Sequence, residues 1–348
     1  MIGPAAARPP SRPRAPRRRL GASGLRVLAV ALGLVAMLGS AGSAAALVPG
    51  VNWPVQSLGD RGTDVLTIQR MLRVRLAALG ATTPVPPADG LFQASTVTAV
   101  KAWQTQRGRA VTGIVDGPTW AALVVPVKAG DTGEAVLALQ VELREKRRAT
   151  MAVDGTFGTT TTAAVVSFQK HMGLTANGLV NAATWRALVG HFELPRFSSN
   201  QLCDYSVGNG TANWGMAEAV DTLEAVGRSM VALGYGRVAV GDLSFEHPGD
   251  IPGHVSHERG LDVDVRMMRK ANDQCTWGSR WFYTTYDRAA TRAMIKTFRA
   301  LAPGHIKVIY FNDPVLIREG LATWYSGHDD HIHVRFCEKI HPIAIYDC

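Results

Sequence analysis

The feature that most constrains this 348-residue chain is an internal duplication: residues 58–123 and 129–188 repeat one pattern. The opening halves align at Asp60/Asp131, Gly62/Gly133, Val65/Val136 and Gln69/Gln140. The later halves align at Asp89/Asp154, Gly90/Gly155, Phe92/Phe157, Val100/Val165, Trp103/Phe168, Gln104/Gln169, Gly113/Gly178, Trp120/Trp185 and Leu123/Leu188. The Pro-rich stretch TTPVPPADG in the first copy absorbs the difference in spacing. Within each copy the apolar residues step by three or four, as in Val65, Ile68, Leu72, Leu76 and Leu79, which is the spacing of one helix face. Asp-Gly pairs mark turns, and a third short helix is predicted to begin near Pro118 and Ala183. Two small three-helix modules are therefore expected, their aromatic and aliphatic stripes serving as core. His171 and His191 stand apart in the sequence and read as isolated surface residues.

Beyond Phe192 the pattern changes. Eight of the ten histidines lie between His247 and His341, and all four cysteines follow residue 200. Helical stretches over 217–232 and 287–301 alternate with short β-like runs at 237–240, 260–265, 306–310 and 331–336. That alternation predicts an α+β domain with a mainly antiparallel sheet.

Two of these segments carry chemistry: GHVSHERGLDVDVR from Gly253 and GHDDHIHVRF from Gly327. Residues i and i+2 of a strand share a face, so Asp262 pairs with Asp264 and His331 with His333. Adjacent strands would aim an Asp and a His at one point, with His257 entering from the preceding loop. Two imidazoles and one carboxylate make an open zinc site, at which water is acidified and a carbonyl polarised. A nearby imidazole can move protons near neutral pH. The helical HExxH motif is absent, since His257-Glu258 is followed by Arg259-Gly260-Leu261, and no G-x-S-x-G elbow occurs.

The net charge of +9 does not mark a nucleic-acid binder. Seven arginines precede residue 47 in a stretch free of Asp and Glu, and without them +2 remains. That basic stretch, the apolar run Val27–Leu38 and Ala44-Ala45-Ala46 have the form of an export signal cleaved after Ala46. The apolar run falls short of the roughly 20 residues a membrane span needs, so no stable membrane insertion is expected after cleavage. The Arg17-Arg18-Arg19 cluster leaves the export route open between the general secretory and twin-arginine systems. Four cysteines without C-x-x-C spacing suggest two disulfides, and the preferred pairing is Cys203–Cys275 with Cys337–Cys348.

The repeat pattern D-G-x-F, A-V-x-x-[WF]-Q, G-x-[VL], T-W-x-A-L resembles the bacterial peptidoglycan-binding repeat of the three-helix type, which implies a cell-wall glycopeptide partner. GHxSHxxGLDVDV with a distant HDDHxHVR resembles the penicillin-insensitive murein endopeptidases, a family within the group that shares the fold of lysostaphin, D-Ala-D-Ala metallopeptidases and Hedgehog signalling domains. This second resemblance covers about residues 200–338. It implies one zinc ion held by His257, Asp264 and His333. His331 would act as general base or electrostatic stabiliser, His328 would assist, and His254 would stand outside the ligand set. Asp262 would hydrogen-bond a ligand histidine or a loop amide, while Asp329 and Asp330 would shape the loop or orient His328 or His331. The aromatic stretch Lys270–Tyr286 would line a substrate groove or pack the domain.

The expected chain is thus an export signal (1–46), two peptidoglycan-binding repeats (47–125 and 126–191) and a zinc metallopeptidase domain (192–348). Its expected setting is secreted, periplasmic or wall-associated. Its expected activity is hydrolysis of peptidoglycan peptide cross-links of the D-alanyl to diaminopimelyl type. The alternatives are a zinc D,D-carboxypeptidase trimming terminal D-Ala, or a non-catalytic wall-binding protein.

Overall fold

The computed structural model describes residues 52–80, 85–206 and 212–348. The expected export signal lies outside them. Among the described residues, no helix is long and apolar enough to cross a membrane.

The first repeat folds as α1 (Thr63–Ala78), α2 (Ala94–Gln106) and α3 (Gly117–Leu123), and the second as α4 (Glu134–Arg147), α5 (Thr159–His171) and α6 (Ala182–Val189). The duplicated residues do duplicated work. Gln69 accepts from the backbone N–H of Gly90 (2.8 Å) and donates to the Leu91 carbonyl (3.0 Å). Gln140 makes the same pair of bonds to Gly155 (2.8 Å) and Thr156 (3.0 Å). These buried amides satisfy turn groups that would otherwise be orphaned inside the module. Trp120 and Trp185 fill the two cores, each donating its indole N–H to a backbone carbonyl, of Pro54 and Val125 respectively, at 2.8 Å. Asp116 and Asn181 cap α3 and α6. One continuous core joins the repeats, with α1 packed on α4.

The remaining chain forms β1 (Leu202–Asp204), α7 (Ala217–Ala232), β2 (Val238–Val240), β3 (Asp262–Val265), α8 (Arg288–Leu301), β4 (Ile306–Tyr310), α9 (Pro314–Arg318) and β5 (Ile332–Phe336). The sheet order is β1-β2-β3-β5-β4, with β1 parallel to β2 and every other pair antiparallel. Helices α7 and α8 pack on each other and against the sheet, burying Leu223, Val226, Met294, Ile295 and Phe298. Helical repeats followed by an α+β domain with a mostly antiparallel sheet is the architecture the periodicity leads one to expect. Disulfides join Cys203 to Cys275 and Cys337 to Cys348, the preferred pairing.

The repeats are docked on the α+β domain. Arg61 pairs with Asp221 of α7 at 2.6 Å. Asp60 meets His305 at 2.8 Å, with Glu218 at 3.6 Å from the same ring nitrogen, all three fully or nearly buried. Gly62 and Gly133 occupy equivalent positions with φ of 112° and 100°, a region that favours glycine. Only at Gly62 does a second constraint apply, because a Cβ there would lie 2.9 Å from the Ala217 carbonyl oxygen.

Glu338 seals the same junction by accepting the Val55 N–H at 3.1 Å. Burial pushes its carboxyl up to about 8, against the lowering effect of the Val55 bond. A folded pKa above the unfolded value means that the fold favours the protonated acid. Its stabilising contribution is complete below the unfolded value near 4.3 and is lost as pH rises toward 8. Glu338→Gln keeps an acceptor oxygen without the charge. The variant should melt above the parent at pH 8, by on the order of 3 kcal/mol, and converge on it near pH 4.5. Thermal melts across pH check this; a gap independent of pH would refute it.

Candidate active site

Strands β3 and β5 pair so that Asp264 sits opposite His333 and Asp262 opposite Arg335. Opposed side chains on one face lie close enough to act together, and here they converge. His333 Nδ1 is 3.0 Å from Asp264 Oδ1, and His257 Nε2 is 3.4 Å from Asp264 Oδ2. The two ring nitrogens stand 3.1 Å apart. All three residues are buried.

The outward nitrogens fix the tautomers. His257 Nδ1 donates to the Leu243 carbonyl (2.7 Å) and His333 Nε2 donates to Asp262 Oδ1 (2.8 Å). His257 Nε2 is thereby left with its lone pair toward His333 Nδ1, and His333, with a carboxylate at each ring nitrogen, has room for a proton or a metal ion at Nδ1. Such a group repels itself unless a cation stands among its atoms. Burial disfavours charge on His333, but its bonds to Asp262 and Asp264 outweigh that and push it up to about 9, so the site retains a proton well above neutral pH. Asp264 is held well below the usual carboxylate range: burial opposes this, but the charge of and bond to His257 outweigh it. Ligands about 2.0–2.1 Å from a tetrahedral zinc ion lie roughly 3.3–3.4 Å apart, close to the spacing seen. The donor set fits a divalent metal ion.

Asp262 performs both of the tasks open to it in the sequence. One oxygen accepts from His333 and from Arg335 Nε (2.7 Å); the other accepts from the His257 N–H (3.0 Å) and from the Tyr346 hydroxyl (2.7 Å). The backbone of His257 has φ of 76°, a left-handed conformation that costs free energy outside glycine. Its N–H bond to Asp262 and its ring bond to Leu243 hold it there. Gly260 lets the chain enter β3, since a Cβ would lie 2.8 Å from the Met216 nitrogen.

His331 precedes β5 rather than lying on it. It reaches the same pocket, with Nε2 at 3.9 Å from Asp264 Oδ1 and Nδ1 at 3.0 Å from Asp330 Oδ1. Its ring centroid is 4.7 Å from that of His328. Burial lowers the pKa of His331, but its bond to Asp330 and the charge of Asp264 outweigh that and raise it. Burial, and then the charge of His331, bring His328 down to about 4. Asp329 does not orient either ring; it accepts from Trp281 Nε1 and from Asn312 Nδ2, each at 3.0 Å.

His254 stacks edge-on to His257 at 4.5 Å and bonds Asp242 at 3.0 Å. It joins His257 and Asp264 in one metal-sized group, while His333 Nδ1 lies 3.0 Å from Asp264 Oδ1 and 3.1 Å from His257 Nε2. Tyr310 and Tyr325 complete a pocket of about 420 Å³. The sequence does not single them out: Tyr310 enters through its register with His333 across β4 and β5, which no local pattern encodes. In the aromatic stretch, Trp277, Phe282 and Tyr283 are exposed, while Trp281 packs on the core and tethers Asp329.

A duplicated helical module is thus docked on an α+β domain that holds a buried His/Asp pocket. Residues 61–123 and 132–188 each match the putative peptidoglycan binding domain, and residues 205–297 match the penicillin-insensitive murein endopeptidases. Two regions that match the peptidoglycan-binding domain are thus followed by one that matches the penicillin-insensitive murein endopeptidases. The family match includes His257 and Asp264 and ends before His328, His331 and His333. The chain is also 35% identical, over 150 residues, to a Mycobacterium tuberculosis protein described as N-acetylmuramoyl-L-alanine amidase CwlM, covering 37% of this chain and 36% of that one. It thus spans about a third of that relative's length. A peptidoglycan-binding protein from Clostridioides difficile, solved in complex with glutamine hydroxamate, is 38% identical over 19% of this chain and 40% of its own. Its TM-score of 0.18 carries no argument about the fold.

Proposed function

We propose that the protein is a secreted zinc-dependent endopeptidase that hydrolyses peptide cross-links of peptidoglycan, of the D-alanyl to diaminopimelyl type. His257, Asp264 and His333 hold the metal. When bound, the ion supplies Lewis acidity toward the scissile carbonyl and acidifies water at neutral pH. The observation that supports this reading is the convergence of donor atoms: two imidazole nitrogens 3.1 Å apart face one carboxylate, each ring held by an acceptor behind it. Such outer partners are the usual support of a ligating histidine.

His331 and His328 form the proton-handling pair. Their environments push their pKa values apart, the pattern expected of an acid and a base side by side. His331, steadied by Asp330, favours the charged form and faces the negative charge that develops on the carbonyl oxygen. His328, favouring the neutral form, is the group suited to accept a proton. The two repeats supply wall affinity, and peptidoglycan is both anchor and substrate. The near-neutral charge beyond residue 46 gives no basis for nucleic-acid binding. An export signal would deliver the protein to the periplasm, the wall or the medium without a lasting membrane anchor.

The test is a digest of purified muropeptides resolved by mass spectrometry, with and without a chelator. Cross-linked dimers should convert to monomers, chelator should abolish the conversion, and zinc should restore it. Loss of terminal D-Ala from monomers with dimers untouched would make the enzyme a carboxypeptidase. Intact muropeptides despite bound metal would leave a wall-binding protein.

A further inference from the structure

A second group of metal-ligand type lies where repeat two meets the peptidase domain, away from the pocket just described. His171 ends α5, His191 follows α6, and Glu246 and His247 sit in the loop of residues 241–261 that joins β2 to β3. The expectation of two isolated surface residues holds for the exposure of His171 but is corrected for His191, which is buried, and neither histidine is isolated. His191 is 1% exposed, and docking brings both against a loop more than 50 positions downstream of His191. One nitrogen or oxygen from each of the four residues falls within 4.8 Å of all the others. His171 Nε2 is 3.0 Å and His191 Nε2 is 3.4 Å from the same oxygen of Glu246. The three rings lie 5.4–5.8 Å apart, centroid to centroid.

Two further observations separate this group from a chance crowd of polar side chains. His191 Nδ1 faces the Phe192 carbonyl, which leaves Nε2 as the lone-pair atom on the Glu246 side. His247 carries a buried Nδ1 with no hydrogen-bond partner, an arrangement that native proteins rarely leave unexplained.

We infer that His171, His191, Glu246 and His247 form a second, structural zinc site that clamps repeat two to the loop carrying His257. Three imidazoles and one carboxylate make a closed tetrahedral set with no position left open, the mark of a structural rather than a catalytic zinc. Borderline nitrogen ligands favour zinc over magnesium or calcium. Arg147 also contacts Glu246, and its Nη1 lies 3.4 Å from His191 Nε2, so the guanidinium occupies the neighbourhood of the ion. Its side chain is 24% exposed and can turn toward solvent as zinc enters past His171.

The experiment counts zinc on the full chain by native mass spectrometry after equilibration with zinc chloride and removal of excess. The parent should hold about two ions. His171→Ala/His247→Ala should hold one fewer, and its melting temperature should lose the part of the zinc response that the parent shows. His257→Ala/His333→Ala, with the central pocket disabled, should still hold one ion, whose X-ray absorption spectrum shows mainly imidazole ligation. Circular dichroism establishes that each variant is folded, and the exposed single variant His171→Ala stands in if the double variant is not. Zinc lost from His257→Ala/His333→Ala, or unchanged in His171→Ala/His247→Ala, overturns the clamp. Zinc kept in the first variant and absent from the second supports the clamp and counts against metal in the central pocket, so the two assignments fail separately.

Discussion

Asp264→Asn is expected to reduce muropeptide hydrolysis by on the order of 10³–10⁴-fold while leaving wall binding intact. The substitution conserves shape and removes the one anionic donor among the three proposed ligands, whose oxygens lie 3.0 Å from His333 Nδ1 and 3.4 Å from His257 Nε2. A bound metal contributes several kcal/mol of charge stabilisation to a hydrolytic transition state, and each factor of ten in rate corresponds to about 1.4 kcal/mol. Asp262→Asn provides the graded comparison. Asp262 touches His333 from behind rather than the metal position, so its loss should cost roughly 10–100-fold. Rates on purified cross-linked dimers and zinc content per chain decide the matter. An Asp264→Asn protein that cuts at the parental rate removes the assignment.

The second large effect is on stability. Lys146 of α4 is fully buried, its ammonium 2.6 Å from Asp64 of α1 and 3.6 Å from Glu142, and it also donates to the Val189 carbonyl. Burial disfavours its charge, but Asp64, Glu142 and Glu193 outweigh that and push it up to about 12. Lys146→Met would leave those acids without a cation in a place water does not reach. Removing one partner of a buried pair costs about 3–5 kcal/mol, so the variant should melt roughly 10 °C lower. Chemical denaturation with matched thermal melts tests this. A change below about 1 kcal/mol would show that the acids are already neutral and need no counter-charge.

The repeats were legible because their signal is local. Gln69 and Gln140 recur because each ties a helix to the turn that follows it, and both partners lie within about 20 positions in the chain. The Asp262/Asp264 face of β3 was legible from period-two alternation alone. Its pairing with β5 was not, since Asp264 and His333 are 69 positions apart and strand order leaves no mark on local pattern. Strand β1 spans three residues and α9 five, too short to show a period. His191 was misread, and the grouping of His171 with it missed, for the same reason that Tyr310 was missed: each takes its neighbours from docking or register. What sequence pattern carries is the local geometry of an element; what it omits is which elements meet.

The junction between the repeats and the peptidase domain carries a consequence for how this chain can be taken apart. Asp60, His305 and Glu218 are buried against one another across it, and Glu338 holds Val55 from the other side. Cutting the chain near residue 191 would strip each half of buried counter-groups and expose carboxylates whose surroundings were set by the other half. The protein is modular as a text and indivisible as an energy: its binding units are transplantable in outline, but here they have become part of the peptidase's own interior, and the whole should melt as one cooperative body.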